Sequence, residues 1–211
     1  GSKNGLRLNI FSGKEKIYQA WYGISQSDLD AGIRTVNYAG TERPGSPYEN
    51  ETDNYTQTHY QLFFNQELSR RFHFNTALFL TRGRGYYEQY KADRDYADFG
   101  FPYPINGSDT IFSADFVRQL WLDNYYYGNI FSLQYKDQKT EATLGGSLTR
   151  YDGNHFGKVI WASRSAIRPR KWYDLDAQKT DFTIYGKEQT TVWNNWSLFY
   201  DLQYRYVNYT I

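Results

Sequence analysis

The chain has 211 residues, one domain's worth, with 24 basic against 23 acidic side chains and a net charge of +1, so it lacks the basic excess of a nucleic-acid-binding surface. It contains no cysteine, which excludes disulfides, thiolate metal sites and cysteine nucleophiles. Aromatic residues make up 20%, as 22 Tyr, 14 Phe and 6 Trp; Tyr and Trp, with an apolar body and a polar tip, suit a membrane–water boundary.

The signal along the chain is apolar–polar alternation, the mark of a strand with one apolar face. Leu6, Leu8 and Ile10 oppose Arg7 and Asn9. After a long connection over residues 23–55, Tyr60, Leu62 and Phe64 oppose His59, Gln61 and Asn65. A short connection at 68–71 leads to Phe72, Phe74, Leu78 and Leu80, with His73, Asn75 and Thr81 between them. A second long connection, 91–116, precedes Tyr125, Tyr127, Phe131, Leu133 and Tyr135, set against Asn124, Gly128, Ser132, Gln134 and Lys136. Residues 117–137 read as one continuous strand. Past a short turn at 137–140, Ala142, Leu144, Gly146 and Leu148 oppose Glu141, Thr143, Ser147 and Thr149. A third long connection, 152–171, is followed by Phe182 and Ile184 against Asp181, Thr183 and Tyr185. A short one at 186–195 leads to Trp196, Leu198, Tyr200, Leu202, Tyr204 and Tyr206, facing away from Ser197, Asp201, Gln203 and Arg205.

These are about seven strands, or eight if the stretch 14–36 hides another. Short and long connections alternate, which sends every long loop to the same end of the sheet. That asymmetry, with strands longer than the roughly 9–11 residues a bilayer needs, is the pattern of transmembrane β-barrels. No run of about 18 apolar residues occurs, so a transmembrane helix is excluded. Low mean hydropathy is no objection to a barrel, whose strands alternate lipid-facing with lumen-facing residues. The expected fold class is therefore all-β, made of antiparallel transmembrane barrel strands. A soluble β-sandwich also alternates inward and outward residues, but its strands are usually about five or six residues long.

Four stretches, LNIFSGKEKIYQAWYGI, RTVNYAGTERPGSPYENETDNYTQTHYQLFF, NHFGKVIWA and YDLDAQKTDFTIYGK with the closing FYDLQYRYVNYTI, resemble TonB-dependent outer-membrane receptors of the kind found in the Bacteroidetes. The resemblance runs from near residue 5 to the end. It implies a barrel of about 22 strands closed by an N-terminal plug. It also implies uptake of a bulky, scarce nutrient such as an iron–siderophore, haem, cobalamin or a glycan, driven through TonB, in the outer membrane of a Gram-negative cell. Residues 1–211 depart from the full pattern in having no plug, no TonB box and too few strands, and no signal peptide opens them. Gly1 and Ser2 resemble the scar of a cleaved tag, so residues 1–211 are expected to be an excised wall segment. Its partners would then be the plug, the remainder of the barrel, TonB through the missing N-terminal region, outer-membrane lipid or lipopolysaccharide, and the nutrient. The alternatives are a complete eight-stranded outer-membrane barrel with a structural or adhesive role, and a soluble carbohydrate-binding β-sandwich.

No catalytic arrangement emerges, and an enzyme, a metal site and a resident cofactor are not expected. His59, His73 and His155 are far apart, without close His, Glu or Cys partners; the first two are expected on the lumen side and His155 in an outer loop. Gly83 and Gly85, in a strand with no helix after it, suggest a bulge or a closely packed ligand rather than a nucleotide loop. Asp174 and Asp176 share one strand face, either lining the lumen or forming a solvated rim. The N-x-S/T sequons at Asn50, Asn54, Asn106, Asn195 and Asn208 would be incidental in a bacterium. The densest chemistry lies in WASRSAIRPRKW, where Arg164, Arg168, Arg170 and Lys171 stand between Trp161 and Trp172. Cations beside aromatic rings suit an anionic ligand such as a ferric siderophore or a phosphate-bearing molecule, or else lipopolysaccharide phosphates or plain solvent. Tyr87, with Tyr86, Tyr90 and Tyr96, would add a stacking surface or an interfacial girdle.

Overall fold

The strands predicted from alternation pair in a continuous antiparallel meander. The computed structural model describes residues 3–211. In chain order the elements are β1 (Asn4–Tyr18), the single-turn helix α1 (Gln26–Asp30), β2 (Thr52–Glu67), β3 (Phe72–Asp95), a 3₁₀ turn (Tyr96–Phe99), β4 (Ile105–Asn106), β5 (Asp109–Thr110), β6 (Ser113–Lys136), β7 (Thr140–Ala162), β8 (Arg170–Trp193) and β9 (Trp196–Thr210). The main sheet runs β1-β2-β3-β6-β7-β8-β9, and β4-β5 form a separate small hairpin. Within residues 3–211 the sheet is open, with β1 and β9 as its edges. No extra strand lies in 14–36 beyond the end of β1; that stretch holds α1 instead.

The register aligns the apolar faces. One row of directly opposed residues reads Leu8, Leu62, Leu78, Asn129, Leu148, Phe182 and Tyr206 across all seven strands. The neighbouring row reads Leu6, Phe64, Thr76, Phe131, Gly146, Ile184 and Tyr204. Farther toward the short turns, Phe74, Leu133, Leu144 and Leu202 continue this surface, and Phe72, Tyr135 and Tyr200 bound it. Toward the long connections it ends at Tyr60, Leu80 and Tyr127. From Phe72 to Leu80 is about 27 Å along a strand. Above Gly186 a trough of about 480 Å³ opens on this surface between Leu144, Ile184, Leu202 and Tyr204.

The opposite face is more polar but mixed: one row reads Asn9, Gln61, Phe79, Gly128, Thr149, Asp181 and Val207, and the next Phe11, His59, Thr81, Tyr126, Tyr151, Lys179 and Tyr209. His59 and His73 lie on this face of the sheet. A one-residue slip would exchange the two faces on a strand, so the continuous band is evidence that register and pattern agree.

The apolar band has no second layer among the described residues. Leu8 is 61%, Leu148 55% and Leu202 80% exposed. A folded monomer of 25.0 kDa exposes roughly 10,000 Å², whereas this chain exposes 14469 Å². A self-contained sandwich would bury its apolar face against a second sheet; this sheet leaves it open.

The three long connections, 19–51, 96–112 and 163–169, leave one end of the sheet, and the short turns, 68–71, 137–139 and 194–195, close the other. The strands run farther than their alternation. β7 continues to Ala162, leaving a connection of 163–169 rather than 152–171, and β8 continues to Trp193 rather than stopping at 186. At about 3.4 Å per residue a strand of 24 residues is roughly 80 Å long, so the band occupies about a third of it.

Candidate ligand-binding face

The polar face becomes structured at the long-loop end. β3 bends there through an irregularity between Lys91 and Arg94, where Asp93 adopts a left-handed backbone with φ 45°. Asp115 holds the bend: its carboxylate accepts from the Asp93 amide at 2.9 Å and from the Tyr90 hydroxyl at 2.6 Å. The turn over Tyr96–Phe99 then folds over the sheet. Tyr96, Phe99, Ala114, Phe116, Val159 and Ala162 form a small buried core, with Phe101, Ile111, Ile167 and Trp172 packed on it. This core fixes the 96–112 and 163–169 connections to the sheet.

Glycines make room for aromatic rings on this face. A Cβ at Gly85 would meet the Asn54 carbonyl and the Tyr55 side chain, and one at Gly83 would meet the Tyr55 hydroxyl and Asn124. Tyr55 lies across both glycines and donates to Asn124 Oδ1 at 3.0 Å. Pairing is continuous from Phe72 to Lys91, so Gly83 and Gly85 mark no bulge, and tyrosine rather than a ligand fills the space. Tyr185 covers Gly145 and Trp172 covers Gly157 in the same way.

The sequence-predicted cluster is divided by strand alternation. Trp161 and Lys171 lie on the apolar-band side of the sheet, above the band: Trp161 packs 6.3 Å from the Tyr90 ring, and Lys171 sits 3.9 Å over the Phe156 ring and donates to Asp174 at 2.7 Å. Trp172 turns to the polar face, 5.2 Å from Phe99. Arg170 also turns there, lying 5.2 Å over the Phe101 ring. Arg164 and Arg168 are exposed in the 163–169 connection. Tyr87 lies on the polar face, edge-on to Trp21 at 4.9 Å. Asp174 and Asp176 do share a face, bridged by the Asn154 amide at 2.8 and 2.9 Å, on the apolar-band side. His155 stands inside β7 rather than in a loop, 2.8 Å from the Tyr151 hydroxyl. Among the described residues no group of His, Asp and Glu is arranged to hold a metal ion.

What the structure brings together, and sequence reading missed, is a cluster around Arg118. Its Nε and Nη2 donate to Gln89 Oε1 at 3.2 and 2.9 Å, and its guanidinium lies 6.0 Å from the Trp172 ring. Tyr87 and Tyr173 stand beside it, and the 19–51 connection contributes Trp21 and Tyr22. Residues from β3, β6, β8 and a loop meet here, so no linear motif announces them.

The 19–51 connection is tied down through Glu88. This carboxylate is 3% exposed and accepts from Tyr48 Oη at 2.6 Å, Asn50 Nδ2 at 2.6 Å and Gln119 Nε2 at 2.7 Å. Burial, then the Glu88 carboxylate, pushes the Tyr48 hydroxyl above its ordinary range. The buried Gln19 amide donates to the carbonyls of Thr52 and Glu88 at 3.3 and 3.0 Å. No protein-family model and no curated protein matches the chain.

Proposed function

We propose that the chain is a wall segment of an outer-membrane β-barrel of the TonB-dependent receptor type, which takes up a bulky nutrient through the full barrel. The observation that carries this reading is the apolar band, register-aligned across seven strands, edged by tyrosines at both limits and solvent-open in the chain itself. Its length of about 27 Å along the strands, tilted by about 35–45° as in bacterial barrels, spans roughly 20 Å of height, somewhat less than their apolar belt of roughly 25 Å. Short turns at one end and long, partly packed connections at the other support a periplasmic and an outer side respectively. The polar face would line the lumen, and the open edges at β1 and β9 would pair with the remaining strands.

Because the chain has no cysteine, single cysteines give a clean test. Spin labels at Leu78→Cys, Leu148→Cys and Ile184→Cys in lipid vesicles should collide with oxygen and be shielded from a water-soluble nickel complex. Labels at Thr81→Cys and Thr149→Cys should show the reverse. Equal access of the nickel complex to both faces would sink the proposal.

A further inference from the structure

We propose that a cleft on the apolar-band side of the sheet, just beyond the band toward the long connections, binds the phosphomonoester headgroup of a membrane lipid. It rests on the barrel reading for the lipid as the source of the phosphate. The cleft, of about 620 Å³, is lined by Lys14, Thr56, Thr58, Arg82, Arg84 and Trp121 with their neighbours. Lys14, Thr56, Arg84 and Asp123 stand in one row of the ladder, and Thr58, Arg82 and Tyr125 in the row nearer the band. The two arginines differ in what is left to them. Arg82 pairs with Asp123, and its Nη1 donates to the carbonyls of Gly83 and Asn124 at 2.6 and 3.0 Å. Arg84 reaches the same carboxylate through Nε at 3.2 Å, and its guanidinium lies 5.6 Å over the Trp121 ring. That ring packs 4.6 Å from Tyr86 and 5.6 Å from Phe156, so Arg84 rests on a filled wall. With Nε engaged, the two terminal nitrogens of this side chain, 60% exposed, are left to form the paired hydrogen bonds that a guanidinium offers a phosphate. Lys14 is exposed and makes no ion pair among the described residues.

Lys14, Arg82 and Arg84 against Asp123 leave two positive charges in excess. The other acids on this side do not cancel them. Asp152 is taken by Arg150 and the Tyr127 hydroxyl. Glu88 is buried four residues farther along β3, under Tyr48, Asn50 and Gln119, and Asp176 stands three strands away from Arg84. Lys16, the next cation on this side of β1, donates to Asn50 at 2.9 Å. A phosphomonoester, at about −1.5 to −2 near neutral pH, matches that excess better than a singly charged phosphodiester or carboxylate. Position supplies the lipid. The band ends at Tyr60, Leu80 and Tyr127; Arg82 and Arg84 lie about 7 and 14 Å beyond Leu80 along the strand. At a tilt of about 35–45° these become roughly 5 and 10 Å of height, which brackets the layer of roughly 5–7 Å that headgroups add on each side of the hydrocarbon.

The test is native mass spectrometry of the full-length protein in a neutral detergent. The probes are phosphatidic acid (the phosphomonoester lipid), phosphatidylglycerol, phosphatidylcholine and inorganic phosphate. Phosphatidic acid should bind at least tenfold more tightly than the other two lipids, and a large excess of inorganic phosphate should not displace it. Lys14→Gln combined with Arg84→Gln should remove that preference, whereas Arg70→Gln, at the short-turn end of the sheet, should leave it intact. Equal binding of phosphatidylglycerol or phosphatidylcholine overturns the phosphomonoester, and displacement by inorganic phosphate overturns the lipid source. An unchanged preference in the double variant overturns the site. If the double variant fails to fold, Lys14→Gln alone, at an exposed position, should weaken phosphatidic acid at least threefold, and no change overturns the proposal. Spin-label accessibility on the same protein reads the barrel proposal separately: lipid contact without the preference sinks only the phosphate site, and the preference without lipid contact sinks only the membrane.

Discussion

Leu148 and Thr149 are adjacent in β7 and point to opposite sides of the sheet, so replacing each by arginine separates a membrane-facing surface from a merely unpartnered one. Leu148 is already 55% exposed in the chain, opposite Asn129 and Phe182 and one row from Ile184. If water covers that surface, Leu148→Arg removes exposed hydrocarbon and shifts stability by no more than about 0.5 kcal/mol. If lipid covers it, a guanidinium near the bilayer midplane costs about 2–4 kcal/mol, which at 1.36 kcal/mol per decade is a change of roughly 30- to 900-fold in the folding equilibrium. Thr149→Arg adds the same charge one residue away, opposite Asp181, and should stay within about 0.5 kcal/mol because cross-strand opposite charges are neutral to favourable. Equilibrium urea unfolding of the full-length protein in thin lipid vesicles gives both values. Equal effects of the two substitutions, or a larger cost for Thr149→Arg, would refute the assignment of faces.

Gly85→Ala should cost about 1–3 kcal/mol by overpacking, since its new methyl meets the Asn54 carbonyl and Tyr55, whereas Gly186→Ala, with nothing within 4 Å of its Cβ, should stay within about 0.5 kcal/mol; thermal unfolding compares them. Glu88→Ala strips the acceptor from Tyr48, Asn50 and Gln119, at about 1–3 kcal/mol for each buried donor left unpaired, and should speed proteolysis within 19–51 while leaving the short turns protected. In the β6–β7 turn, hydrogen bonds from the Tyr135 hydroxyl and then from the Lys139 and Thr140 amides hold the Asp137 carboxyl down from 3.8 to about 2. A depressed carboxyl contributes stability above its unfolded value and loses it as the pH falls through the folded one. Exchange of the Lys139 and Thr140 amides should therefore accelerate, relative to intrinsic rates, as the pH drops from about 4 to about 2, and Asp137→Ala should abolish that dependence.

Strand number, the two faces and the sidedness of the connections were legible because alternation is strong wherever one face is apolar. Strand ends were not. Residues 186–193, GKEQTTVW, lack an apolar partner at every second position, yet the ladder continues through them from Lys187 opposite Thr143 to Thr190 opposite Thr140. Gly186 and Glu188 stand in the rows of Leu144 with Leu202 and of Ala142 with Tyr200, but β8 itself contributes no apolar side chain there, so its hydrogen bonding continues without a hydrophobic signature of its own. The candidate site was partly legible: Tyr87 and Trp172 were singled out and do line the polar face near Arg118. The basic run was misread as one patch because β8 alternates through it, with a register irregularity between Gly157 and Lys158 opposite. Arg118 went unnoticed because register, rather than sequence proximity, supplies its neighbours.

Each strand of the main sheet bonds only to its neighbours in the meander, and every hairpin repeats the apolar stretch at the same height. A sheet of this kind is modular. In the proposed barrel, a hairpin added or deleted would widen or narrow the bore while leaving the thickness of the belt unchanged, because height is written along each strand and circumference only in the number of hairpins. Bore and belt thickness would then vary independently.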